Sequence, residues 1–210
     1  MDLEIRVDEK RLREIQRMLA DIPKALPKVM SRAINKTATS VRAKMVRDIS
    51  SKIALKQKEI REDISIRKAT YSRWQASVNL SRHRHGLIRF GARQTRTGVS
   101  YRIDKARGRK TIPHAFIATM NNAENVWVRV KGDDGKLVGR FPVRRLKGIS
   151  IGEAWRRSAP MVMSGYAHAQ ETLEKNIDSQ IKLLLARAQE NVVARAADVI
   201  GRLSEIAEAA

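Results

Sequence analysis

The chain has 210 residues, enough for one sizeable core or a compact domain with an extended helical segment, and too few for two large domains. Its 43 Lys and Arg against 22 Asp and Glu give a formal charge of +21, far beyond what solubility requires and of the sign that attracts nucleic acid or an acidic protein surface. The absence of cysteine excludes a disulfide framework and a thiolate metal site, and with three each of Trp, Tyr and Phe the core must be mainly aliphatic.

The charge is unevenly placed. Residues 1–70 carry a net +8, residues 71–160 a net +15 and residues 161–210 a net −2. The start, Met1-Asp2-Leu3-Glu4-Ile5-Arg6, has no apolar run of signal-peptide length, and nowhere do apolar residues run long enough to span a bilayer. It reads as a chain made in the cytoplasm, with no membrane partner.

Asp8 suits the N-cap of a first helix, whose apolar positions Leu12, Ile15, Leu19 and Ile22 recur at three- and four-residue spacing until Pro23 stops it. A second helix starts around Pro27, tolerated in a first turn. Val29, Met30, Ala33, Ile34, Ala38, Val41, Met45 and Ile49 trace its apolar stripe, and Arg32, Lys36, Arg42, Lys44 and Arg47 lie mostly off it. Gln57 to Ile64 forms one more short helix.

From Trp74 the period changes to two. Trp74, Ala76, Val78 and Leu80 alternate with polar residues, as do Leu87, Arg89 and Gly91, then Val99, Tyr101 and Ile103, and Phe116 to Met120 is a short apolar run. A hairpin is predicted from Val126–Val130 through the Lys131–Lys136 turn, which holds Asp134-Gly135, into Leu137–Phe141, where Pro142 ends the second strand or places it at an edge. Lys105 to Lys110 has nothing apolar to bury and reads as a mobile loop.

After Pro160 helical spacing returns, from Leu173 through Ile177, Ile181, Leu184, Leu185, Ala188, Val192 and Val199 to Leu203. A helix this long outgrows a small domain, so its distal part from about Glu190 should pair with a partner helix or fray. Together these segments predict an α+β chain: N-terminal helices packed on an antiparallel sheet or a small sandwich or barrel, plus a long C-terminal helix. The expected boundaries are an α+β domain over 1–160, with helices in 8–64 and strands in 65–147, followed by the helix over 161–210.

Little in this sequence suggests catalysis. His83 and His85 would share one side of a strand and His114 could add a third nitrogen, but no carboxylate is near them in sequence and Arg82 and Arg84 flank them, which repels a divalent cation. Glu59, Glu62 and Asp63 lie among Lys56, Lys58 and Arg61, and Asp133 with Asp134 is explained by the turn. No nucleophile elbow, phosphate-binding Gly-Lys-Ser/Thr loop or His-Glu-x-x-His stands here. The reading is a chain with no catalytic residue, metal or cofactor.

The strongest signal is the basic middle. Arg82, Arg84, Arg89, Arg93, Arg96, Arg102, Lys105, Arg107, Arg109 and Lys110 stand with a single acid, Asp104. Arginine predominates, which suits bidentate contact with phosphate or carboxylate. The bland alternative is a solvated face or a docking surface for acidic neighbours. Aromatics for base stacking are sparse, so contact with nucleic acid would be non-specific. A host nucleic-acid-binding protein is the rival reading, supported by charge alone.

The run Ser31-Arg32-Ala33-Ile34-Asn35-Lys36-Thr37-Ala38-Thr39-Ser40-Val41-Arg42 resembles the Ala-Ile-Asn-Arg-Thr-Ala helix of the prophage minor tail protein Z family. Ala69-Thr70-Tyr71-Ser72-Arg73, Leu87-Ile88-Arg89-Phe90-Gly91-Ala92-Arg93-Gln94-Thr95, Gly98-Val99-Ser100 and Ala115-Phe116-Ile117-Ala118-Thr119-Met120 follow that pattern in order. The resemblance covers about residues 25–150, more loosely to Arg187. It departs where the family usually has a Gly-Pro-Ser-Val-Pro-like segment and this chain reads Lys147-Gly148-Ile149-Ser150-Ile151-Gly152. The resemblance implies a non-enzymatic virion protein, at the head-proximal end of a phage tail or in the neck, that assembles as a homo-oligomeric ring with tail tube, tail terminator and connector proteins. Its basic cluster would then face phage DNA or a protein partner.

Overall fold

The computed structural model describes residues 2–20, 22, 24–120, 122–130, 139–140 and 142–208, with side chains for those between 3 and 200. In chain order the elements are β1 (Asp2–Ile5), α1 (Glu9–Met18), α2 (Ala25–Lys52), α3 (Gln57–Glu62), β2 (Ile64–Arg67), β3 (Ala76–Leu80), β4 (Arg84–Gly86), a 3-10 turn (Leu87–Phe90), β5 (Arg93–Thr95), β6 (Gly98–Tyr101), β7 (Lys110–Pro113), β8 (Phe116–Met120), β9 (Ala123–Arg129), β10 (Val143–Arg145), β11 (Lys147–Ser150), α4 (Ile151–Arg156) and α5 (Ala159–Glu208). The chain is thus α+β, with helices near its start and a 50-residue helix at its end. The sheets run β1-β3-β2, β10-β9-β8, β11-β4 and β5-β6-β7, and they do not form a barrel.

The chain divides into two compact units, each built from discontinuous segments. The first comprises Met1–Leu3, Val41–Ile66 and Val78–Tyr166; the second comprises Glu4–Ser40, Arg67–Ser77 and Ala167–Ala210. Both α2 and α5 contribute residues to each.

The second unit is a helical packing problem solved by spacing. The Asp8 carboxylate accepts a hydrogen bond from the Lys10 N–H at 3.2 Å and caps α1, which ends at Met18, short of Pro23. Ile15 of α1, Val29, Met30, Ala33, Ile34 and Ala38 of α2, and Ala169, Leu173, Ile177 and Ile181 of α5 are buried. Each large aliphatic side chain so buried contributes roughly 1.5–3 kcal/mol. Polar bonds fix the register of the helices. Thr37 Oγ1 donates to the Ala33 carbonyl at 2.9 Å and accepts from Asn176 Nδ2 at 2.9 Å. Arg11 meets Glu14, Glu174 and Asp178 at 2.7, 3.1 and 2.6 Å. The hydrogen bond to Glu14, with the charges of all three carboxylates, raises the Arg11 pKa above the ordinary arginine value.

The first unit holds most of the strands. β3 starts in the second unit and continues in the first from Val78: Ala76, Val78 and Leu80 are buried while Ser77 and Asn79 are half-buried, the period of two expected of a strand with one covered face. Phe90, Val99, Val126, Ile151 and Trp155 are fully or almost fully buried here.

Three sequence expectations change. Leu87 to Gly91 is not a strand but the 3-10 turn, with Leu87 and Phe90 inward at three-residue spacing and Gly91 closing it at φ +63°. The strand that returns on β9 is β10, not Leu137–Phe141: Val143 pairs with Arg129 and Arg145 with Trp127. Pro142 therefore precedes the strand, and its carbonyl accepts from the Val130 N–H at 3.1 Å. The predicted turn at 131–136, with Leu137, Val138 and Phe141, lies outside the described residues. Lys110, read as loop, opens β7 opposite Tyr101, because the β-branched Thr111 and Ile112 carry the pairing.

Candidate nucleic-acid interface

All ten residues of the basic cluster belong to the first unit. The antiparallel ladder β5-β6-β7 organises three of them. Arg93 pairs with Ser100 and Ser100 with Thr111, while Gln94, Val99 and Ile112 form the next row. Val99 is fully buried, so the row containing Arg93 lies on the opposite, outward face. Arg96 occupies the turn between β5 and β6, and Lys110 sits at the start of β7 beside Tyr101.

The structure sorts these cations by what they already hold. Arg84 Nη2 lies 3.2 Å from Glu153, Arg89 Nη1 3.0 Å from Glu59 and Arg107 Nε 3.4 Å from Asp104. Two further members serve the backbone. Lys105 Nζ donates to the Ser50 carbonyl at 2.6 Å, and Arg109 donates to the Gly91 carbonyl, the Ser100 carbonyl and Ser100 Oγ at 2.7–2.9 Å. Arg109 is thus a clamp for β6 and the turn before β5. The side chains of Arg82, Arg93, Arg96, Arg102 and Lys110 make no hydrogen bond or ion pair among the described residues, and all but the half-buried Arg102 are exposed.

Along the chain the cluster has ten bases and one acid. In space, Glu59 and Glu153 join Asp104, so the local excess is smaller than the sequence suggests. Two bases that the sequence left outside the cluster enter it. A cavity of about 330 Å³ is lined by Lys52, Arg107, Lys110 and Arg157 with Asp104, over an apolar floor that includes Ile53 and Ile103. Long-range pairing carries this: Lys105 N–H bonds to the Lys52 carbonyl at 2.8 Å and Ala54 N–H to the Ile103 carbonyl at 2.8 Å. An anion entering the cavity would meet four cations and one carboxylate.

The histidines do not converge as a metal site. His83 is exposed and meets His85 edge-on at 5.4 Å between ring centroids; His85 is buried and its Nε2 lies 2.7 Å from Asp63 Oδ2. The carboxylate that the sequence lacked nearby is therefore supplied from 22 positions away. His114 stands in the turn between β7 and β8 at φ +60°. Among the described residues no three His, Cys, Asp or Glu side chains group as metal ligands, and no helix is long and apolar enough to cross a membrane.

The family model described as prophage minor tail protein Z (GPZ) matches residues 9–194, a longer stretch than the 25–150 that the sequence motifs span. No curated protein and no solved structure matches the chain.

Proposed function

The chain belongs to the prophage minor tail protein Z family, a family of structural phage tail proteins, and from that premise we propose that it completes the head-proximal end of the tail and prepares it for joining to the head. In this role it is a non-catalytic virion component in the tail or neck, made in the host cytoplasm, and its neighbours are the tail tube, the tail terminator and the connector. Several copies form a ring through a repeated heterologous contact.

The observation that supports the reading, beyond the family itself, is the surface that carries Arg82, Arg93, Arg96 and Lys110. These exposed cations have no counter-charge among the described residues, as a channel end that meets passing DNA would require. Contact of this kind is weak and indifferent to sequence, because phosphates position and only base edges specify. Deleting the gene from its phage should leave filled heads and separate tails that do not join. Normal yields of joined, infectious particles from the deletion would overturn the role. A second reading, a free non-specific nucleic-acid-binding protein, rests on the same cations; it requires the protein to be missing from purified virions.

A further inference from the structure

The first half of α2 is basic without relief. Lys28, Arg32 and Lys36 follow one another at four-residue steps, Lys24 stands just before the helix, and the first acidic residue of α2 is Asp48. The N-terminal end of a helix is its positive end, where acidic side chains are favoured and cations are not. At about 100° per residue Lys28, Arg32 and Lys36 fall within about 80° of one another, in one row along the helix. That row lies on the side away from the buried Met30, Ala33, Ile34 and Thr37. The side chains of Lys24, Lys28, Arg32 and Lys36 make no hydrogen bond or ion pair among the described residues.

α5 faces this row, and two adjoining hollows separate them. The first, of about 250 Å³, is lined by Lys24, Lys28 and Arg32 from one side and by Gln180, Arg187 and Asn191 from the other, and Val29 and Leu184 add apolar surface. The second, of about 660 Å³, shares Arg32 and Gln180 with it and continues to Lys36, Thr70 and Tyr71. Asn35 holds that end in place. Its Nδ2 donates to the Ala69 carbonyl at 3.0 Å and its Oδ1 accepts from the Ala69 N–H at 2.8 Å, which pins the Thr70-Tyr71 segment beside α2 and leaves Tyr71 64% exposed. Among the described residues no Asp or Glu lines either hollow. All of these residues belong to the second unit.

We propose that this groove binds the sugar-phosphate backbone of duplex DNA. The row of cations advances by about 6 Å at each step, an even repeat that suits a polymer with one charge on every unit. The carboxylates of a folded acidic protein surface carry no such repeat. Arg187 closes the groove from the α5 side, and the free Gln180 amide and Tyr71 hydroxyl are neutral donors of the kind that phosphates accept. Nothing in the groove reads base edges, so contact here is indifferent to sequence. The site shares no residue with the Arg82–Lys110 cluster, so it stands whether or not that cluster meets DNA.

The test is the salt dependence of binding to a duplex of about 30 base pairs. Replacing Lys24, Lys28, Arg32 and Arg187 together by Gln should lower the slope of log affinity against log salt by about 2–4, near 0.9 for each phosphate no longer neutralised. Far-UV circular dichroism checks that this variant keeps its helices, and Arg32→Lys with Arg187→Lys should keep the wild-type slope. The chain has no cysteine, so a photo-cross-linker can be placed at will. Attached to Asn191→Cys, which lines the groove, it should capture the duplex; attached to Gln189→Cys, about 160° away around α5, it should capture severalfold less. Equal capture from the two positions, or an unchanged slope in the Gln variant, would overturn the proposal. So would a Gln variant that loses binding to a polyglutamate peptide and keeps its full affinity for DNA, which would make the groove a seat for an acidic protein.

Discussion

Gly148 stands where no side chain fits: a Cβ built there would lie 2.2 Å from Phe90 Cε2, and Phe90 is fully buried and cannot swing away. Gly148→Ala should therefore destabilise the first unit by about 1–3 kcal/mol through overpacking, read as a lower urea midpoint with unchanged slope. A midpoint equal to the wild type would mean that the Phe90 ring and β11 have room to separate. Local chemistry of this grain was partly legible. The Asp8 cap and the Asp104–Arg107 pair, three residues apart, can be read from spacing. The Asp63–His85 contact and the Glu59–Arg89 pair join residues 22 and 30 positions apart, and no local rule announces them. For the same reason Lys52 and Arg157, which complete the basic cavity, were invisible from the sequence.

Helices and strands differed in legibility for a physical reason. α2 repeats its apolar period over 28 residues, and every position of the predicted stripe is buried. β4, β5 and β10 have three residues each, too few to establish a period, and they hold their place by pairing with neighbours. The strand at Arg93–Thr95 escaped detection on that account, and the four-residue strand at Lys110–Pro113, which also shapes the candidate interface, is nearly as short. α5 carries the test at this scale. Its buried residues Ala169, Leu173, Ile177 and Ile181 all precede the exposed stretch that starts at Gln189. Removing residues 190–210 should leave a cooperative melt whose midpoint, measured where both proteins are monomeric, moves by less than about 2 °C. A broad, non-cooperative melt would place the helix end within the core.

For the molecule as a whole, the charge of +21 sets the partners more than the fold. The four exposed cations without counter-charge can be changed with little effect on stability, whereas Arg109 holds backbone carbonyls and should be left in place. Replacing Arg82, Arg93, Arg96 and Lys110 together by Gln should reduce the slope of log affinity for duplex DNA against log salt by about 0.9 for each phosphate no longer neutralised, equally for unrelated sequences. An unchanged slope in a variant that no longer joins heads to tails would identify the surface as a protein-docking site.

At the centre of the proposed role is a position in the virion. Gold labelling of a tagged copy on purified tails, viewed by electron microscopy, tests it most directly. Label should be confined to the head-proximal end, in several copies per tail as a ring demands. Label along the tube, at the distal tip, or in a single copy would contradict it.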